Sequence, residues 1–108
     1  MRLATFTHQG TTRIGVVVDD AIVDLAAAAP ELPREMCAFL AAGPAALAAA
    51  RAAVGGRGPR LPLAAARLEA PIRRPSKFLA IGLNYADHVK ETGAHAPDFP
   101  VFFNKQST

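Results

Sequence analysis

A histidine and a glutamate three residues apart, His88 and Glu91, sit in the segment "LNYADHVKETG", residues 83–93. On a helix that spacing places both on one face, close enough for the side chains to meet across one turn. A carboxylate in contact with imidazole fixes its tautomer and stabilises the imidazolium, giving a base able to take a proton from water near neutral pH. The same spacing also arises as a casual contact on a solvated helix. Context favours chemistry, because the pair follows an apolar run directly, and α/β-type architectures often present functional side chains at the carboxyl end of a strand.

Three local features are expected to position the pair. Asn84 reads as a helix N-cap, Asp87 as a carboxylate complementing the helix N-terminus, and Gly93 as the stop of a helix about two turns long. Gly82 reads as a point of close backbone approach and Tyr85 as an aromatic that anchors the turn. Before them, "KFLAIGL" is a near-continuous apolar run that predicts a strand buried on both faces. After them, "FPVFFNKQST" predicts another strand with a polar end.

Upstream, residues 2–8, 12–18 and 21–25 alternate or are rich in β-branched residues, which predicts a three-stranded meander turning at "QGT" and Asp19-Asp20. Met36, Phe39 and Leu40 at i, i+3, i+4 predict a covering helix from about Pro33 to Ala42. Leu47 and Val54 mark the apolar face of a second, Ala-rich helix from Pro44, with Gly55-Gly56 as its stop. "GGRGPRLP", residues 55–62, is too rich in Gly and Pro for either regular element and reads as a linker. "RLEAPI" follows as a short extended piece. The expected fold class is α+β, with an N-terminal domain over 1–70 and the start of a second domain over 71–108.

Composition narrows the function classes. The 108 residues are 51% hydrophobic and 19% charged, a globular balance that argues against a disordered chain. No stretch approaches the roughly 20 strongly apolar residues of a membrane span. "MRLATFTHQG" lacks the basic start and apolar core of a secretory signal, so a cytoplasmic protein is expected. The net charge of +3 reflects Arg51, Arg57, Arg60, Arg67, Arg73, Arg74 and Lys77 against Glu69 alone. Without a nucleic-acid motif this run reads as a solvated linker, and neither nucleic acid nor membrane is expected as a partner. Cys37 reads as a buried small hydrophobe. His8 reads as an edge or surface histidine and His95 as a solvated loop residue. Asp19, Asp20 and Asp24 belong to a turn and a strand and do not read as metal ligands.

"KFLAIGLNYADHVKETG" followed by "FPVFFNKQST" strongly resembles the start of the catalytic domain of the fumarylacetoacetate hydrolase family. The opening "MRLATF…RIGVVVDDAIVDL" is similar to the small N-terminal domain of many bacterial members. The resemblance implies a metal-dependent enzyme, usually a homodimer, with a rolled mixed-β catalytic domain. Its reactions are C–C hydrolysis, such as that of acylpyruvates, decarboxylation or isomerisation of 2-oxo acid and β-dicarbonyl substrates. It further implies a dyad on a mobile lid at His88 and Glu91, and a lysine facing substrate at Lys105. The family binds Mg²⁺ or Mn²⁺ through a Glu-x-Glu pair and a later Asp. The sequence contains no Glu-x-Glu, so no metal ligand is expected within these residues and the metal site is expected downstream of residue 108. The other reading is a non-catalytic module that pairs its open strands with another chain.

Overall fold

The computed structural model describes residues 1–56, 58–93, 95 and 97–105, and of His88 the backbone alone. The chain divides into two compact units, Met1–Arg73 and Arg74–Thr108. The fold is α+β.

The first unit is built on an antiparallel meander. Strands β1 (Arg2–His8), β2 (Thr11–Val18) and β3 (Ala21–Asp24) lie side by side, with Thr5 opposite Ile14 and Val16 opposite Val23. The turns need the left-handed backbone found at Gln9, Gly10 and Asp19 (φ 50°, 75° and 49°). Glycine and Asx residues enter that region at least cost, which is why "QG" and "DD" punctuate the strands.

The sheet has five strands where the sequence predicts three. β4 (Arg60–Pro62) pairs with β3, Leu61 facing Ile22, and β5 (Arg67–Leu68) pairs with β1, Leu68 facing Phe6. The "GGRGPRLP" linker expectation is therefore wrong over its last three residues. Edge pairing organises them, and Pro62 is tolerated because an edge strand need not donate on its outer side. "RLEAPI", residues 67–72, lies in the first unit. A single turn of 3₁₀ helix, Leu63–Ala65, joins the two edge strands, with the Leu63 amide donating to Asp20 O at 2.8 Å.

Three helices follow β3. The four-residue α1 (Leu25–Ala28) begins at Asp24, whose Oδ1 accepts from Ala26 N at 3.0 Å while Oδ2 accepts from Arg13 Nε at 2.6 Å. The Arg13 guanidinium also lies 4.9 Å from the centre of the Phe6 ring, so its charge is answered on two sides. α2 (Met36–Ala41) is capped by the Glu35 carboxylate, and α3 (Gly43–Gly55) carries Pro44 in its first turn.

Ile14, Val16 and Leu25 pack with Met36, Phe39, Ala46 and Ala50 to form the core. Leu47 and Val54 are only partly buried beside it. Ala46 and Ala50 are one turn apart, and their small side chains make a shallow helix face. Two expectations fail on α2: Leu40 is exposed, and so is Cys37. The helix is six residues long and commits only the Met36–Phe39 face to the core.

Gly15 is fixed by packing. A Cβ there would stand 2.5 Å from Ile22 Cγ2 and 2.7 Å from Val23 O, distances that a backbone oxygen cannot yield to.

At the sheet's edge, Thr7 Oγ1 donates to Glu69 Oε1 at 2.5 Å and pairs with Thr12 Oγ1 at 2.7 Å. Because the Thr7 proton goes to the carboxylate, Thr12 is the donor of the second bond. The Thr7 hydroxyl, and after it the Arg67 guanidinium, hold the Glu69 carboxyl below its usual range. A lowered folded value means stability that is present above the unfolded pKa of about 4.3 and lost as pH falls through the folded value. Glu69→Gln is therefore expected to lower the melting temperature modestly at neutral pH, with the two melting curves converging in acid. A constant difference from neutral pH down to strong acid would contradict this.

Among the described residues, no helix is long and apolar enough to cross a membrane. Arg60 Nη2 donates to Val54 O at 3.2 Å and Arg67 pairs with Glu69 at 2.7 Å. These two members of the basic run are bound to the chain's own backbone and acid.

Candidate active site

The second unit holds every residue expected to do chemistry. Strands β6 (Leu79–Gly82) and β7 (Val101–Asn104) pair antiparallel, with Leu79 opposite Asn104 and Gly82 opposite Val101. The expectation of a strand buried on both faces is not met. Leu79 is 68% exposed and Phe102 65%, and within this unit Val89 alone of the described hydrophobic residues is buried. Periodicity identifies an apolar run correctly, but burial depends on what packs against it.

From β6 the chain turns through Leu83, whose φ is 52°. A leucine in the left-handed region is strained, and such residues concentrate at functional corners. The sequence offered no signal for it, since nothing about a leucine announces positive φ.

Helix α4 (Ala86–Glu91) begins just after this turn, and its first amide bond runs from Val89 N to Tyr85 O at 3.1 Å. The cap position falls on Tyr85, one residue later than the Asn84 expectation. Asp87 does lie in the first turn, where its charge complements the helix end. Gly93 carries φ 66° and its amide donates to Lys90 O at 3.2 Å, closing the helix. Val89 is the one buried hydrophobic residue of this unit among the described residues. Tyr85 is 75% exposed, so it is not packed among the described residues as an anchor of the turn, contrary to expectation. At Gly82 a Cβ would meet Phe103 and Val101 carbons at 3.7 Å, ordinary contact, so the close-approach reading of this glycine also fails.

His88 and Glu91 lie three residues apart on α4, one turn from each other, and Glu91 is exposed as its last residue. The His88 side chain lies outside the described part of the structure. Lys105 directly follows β7. Its amide donates to Phe78 O at 2.8 Å, and its Nζ stands 5.7 Å from the centre of the Phe78 ring. Sequence reasoning passed over Phe78 as a neighbour of Lys105; the signal was the register, because Leu79 faces Asn104 and so Phe78 faces Lys105. His95 is exposed between α4 and β7. His8, at the end of β1, is half-buried.

Hard divalent ions need several oxygen ligands gathered at one point. Among the described residues, no group of three or more His, Cys, Asp or Glu could hold a metal ion. The described residues do not fit a metal centre.

No protein-family model matches the sequence. The chain is 37% identical over 112 residues to the mitochondrial oxaloacetate tautomerase Fahd2a of Rattus norvegicus, a match covering all of this chain and 36% of that protein. It is 37% identical over 108 residues to a Burkholderia ambifaria protein described as a hydrolase, covering 97% of this chain and 36% of the other. Among solved structures it is similar to a Mycobacterium smegmatis protein assigned as HpcE, with a TM-score of 0.74 and 29% identity over 99% of this chain and 36% of that one. The chain belongs to the fumarylacetoacetate hydrolase family. It spans about a third of the length of the relatives it matches.

Proposed function

We propose that this chain is part of an enzyme that transfers a proton beside the carbonyl of a 2-oxo acid, with oxaloacetate as the substrate to test first. The observation that carries this reading is the 37% identity, along the whole chain, to a protein named as an oxaloacetate tautomerase. Enol-to-keto conversion removes one proton from oxygen and delivers one to the carbon beside the new carbonyl carbon. An imidazole that exchanges protons near neutral pH suits that work. His88 is the proposed base, Glu91 orients it from one turn further on, and the Lys105 ammonium meets the substrate carboxylate. Residues 1–70 act as an accessory domain. The Mg²⁺ or Mn²⁺ of the family resemblance would take its ligands beyond residue 108, and the enzyme would work as a cytoplasmic homodimer.

Hydrolysis is the second reading, favoured by the relative described as a hydrolase. There the same dyad would activate water against a carbonyl of an acylpyruvate. The strand-pairing module draws support from the exposed β6–β7 sheet. One experiment separates the three. A protein carrying this chain with the rest of its catalytic domain is given enol oxaloacetate and an acylpyruvate in parallel. Enol decay well above the buffer rate is the expected result. Acylpyruvate cleavage alone would replace isomerisation by hydrolysis, and no turnover of either would leave the strand-pairing module.

A further inference from the structure

From the register and the ring geometry we infer that Phe78 is a positioning residue, which holds the Lys105 ammonium in place for the substrate carboxylate. The inference rests on the proposed role of Lys105 and adds a residue to it.

Two contacts tie the pair together. The Lys105 amide donates to Phe78 O at 2.8 Å, which extends the β6–β7 ladder by one bond beyond its last assigned strand pair, Leu79 and Asn104. Residues opposite each other in a ladder project to the same face. The Lys105 Nζ then lies 5.7 Å from the ring centre, inside the distance at which a ring's negative face attracts a cation.

A lysine carries four rotatable bonds and a strongly hydrated head, so on its own it samples many positions. Neither β6 nor β7 offers it a carboxylate: the two strands are "LAIG" and "VFFN", and no ion pair found among the described residues involves Lys105. An acid at that place would neutralise the ammonium and repel a carboxylate substrate. An aromatic face orients the cation and leaves its charge available. Phe78 is itself half exposed, which leaves the ring face open to the side chain it holds.

Attraction of this kind corresponds to a factor of about 3 to 30 in a binding constant, depending on how dry the site is. In the full-length enzyme, Phe78→Leu is expected to raise KM for oxaloacetate about 3- to 30-fold while kcat changes less than twofold. Phe78→Tyr, which keeps the ring, is expected to restore KM to within twofold of the parent. Lys105→Met serves as the reference. If Lys105→Met leaves KM unchanged, the role of Lys105 in the proposed function falls, and the positioning role with it. If Lys105→Met raises KM and Phe78→Leu does not, the inference about Phe78 alone is overturned. A fall in kcat as large as the rise in KM, in both Phe78 variants, would reduce the ring to a packing element of β6 and overturn it as well.

Discussion

In an enzyme carrying the complete catalytic domain, His88→Ala is expected to lower kcat for oxaloacetate by about 10²- to 10⁴-fold, the usual consequence of removing a positioned base. KM should change little, because an imidazole that moves a proton acts chiefly in the transition state. His88→Gln, which keeps bulk and a hydrogen-bonding group but cannot exchange a proton near pH 7, should be nearly as slow. Glu91→Gln should fall between these and the parent, since a glutamine can still orient the ring but cannot stabilise its charged form. Steady-state kinetics on the three variants check the assignment. Turnover of His88→Ala at the parent level would remove His88 from the mechanism and leave α4 as a surface helix.

The second large effect concerns stability. Phe39→Ala is expected to destabilise the first unit by about 3–5 kcal/mol, measured by denaturant unfolding followed by circular dichroism. Phe39 is fully buried, and the other helical members of its cluster are Leu25, Met36, Ala46 and Ala50. Two alanines cannot close the void left by a benzyl group, because they have no rotamers to swing into it. With total stability of a domain commonly about 5–15 kcal/mol, a fifth or more of it would be lost. Phe39→Leu keeps most of the volume and should cost far less. A loss below 1 kcal/mol for the alanine variant would mean that the helices and sheet do not share the core described here.

The meander was readable because its information is local. β1 and β2 are rich in β-branched residues, and Gly10 and Asp19 supply the turns, so the strand limits predicted and found differ by no more than one residue. β4 was not readable, since Arg60-Leu61-Pro62 becomes a strand only through its partner Ile22, some forty residues earlier. The helix α1 was hidden for a related reason: four residues have little helical tendency alone, and an aspartate ending a strand gives no sign that its two oxygens serve different partners. Leu40 and Cys37 were misplaced because a 3.6-residue period identifies a stripe, not which edge of it meets the core. At the candidate site, the spacing of His88 and Glu91 and the approximate limits of α4 followed from the sequence. The pairing of Phe78 with Lys105 did not, because it is a property of register between strands nearly twenty residues apart.

Asp24 has a consequence for how the first unit assembles. Its carboxylate starts α1 with one oxygen and grips Arg13 on the neighbouring strand with the other. So short a helix has no nucleus of its own, and its capping carboxylate is held in place by an arginine that β2 supplies. Sheet and helix are therefore expected to unfold in one cooperative step, with no separate melting transition for either.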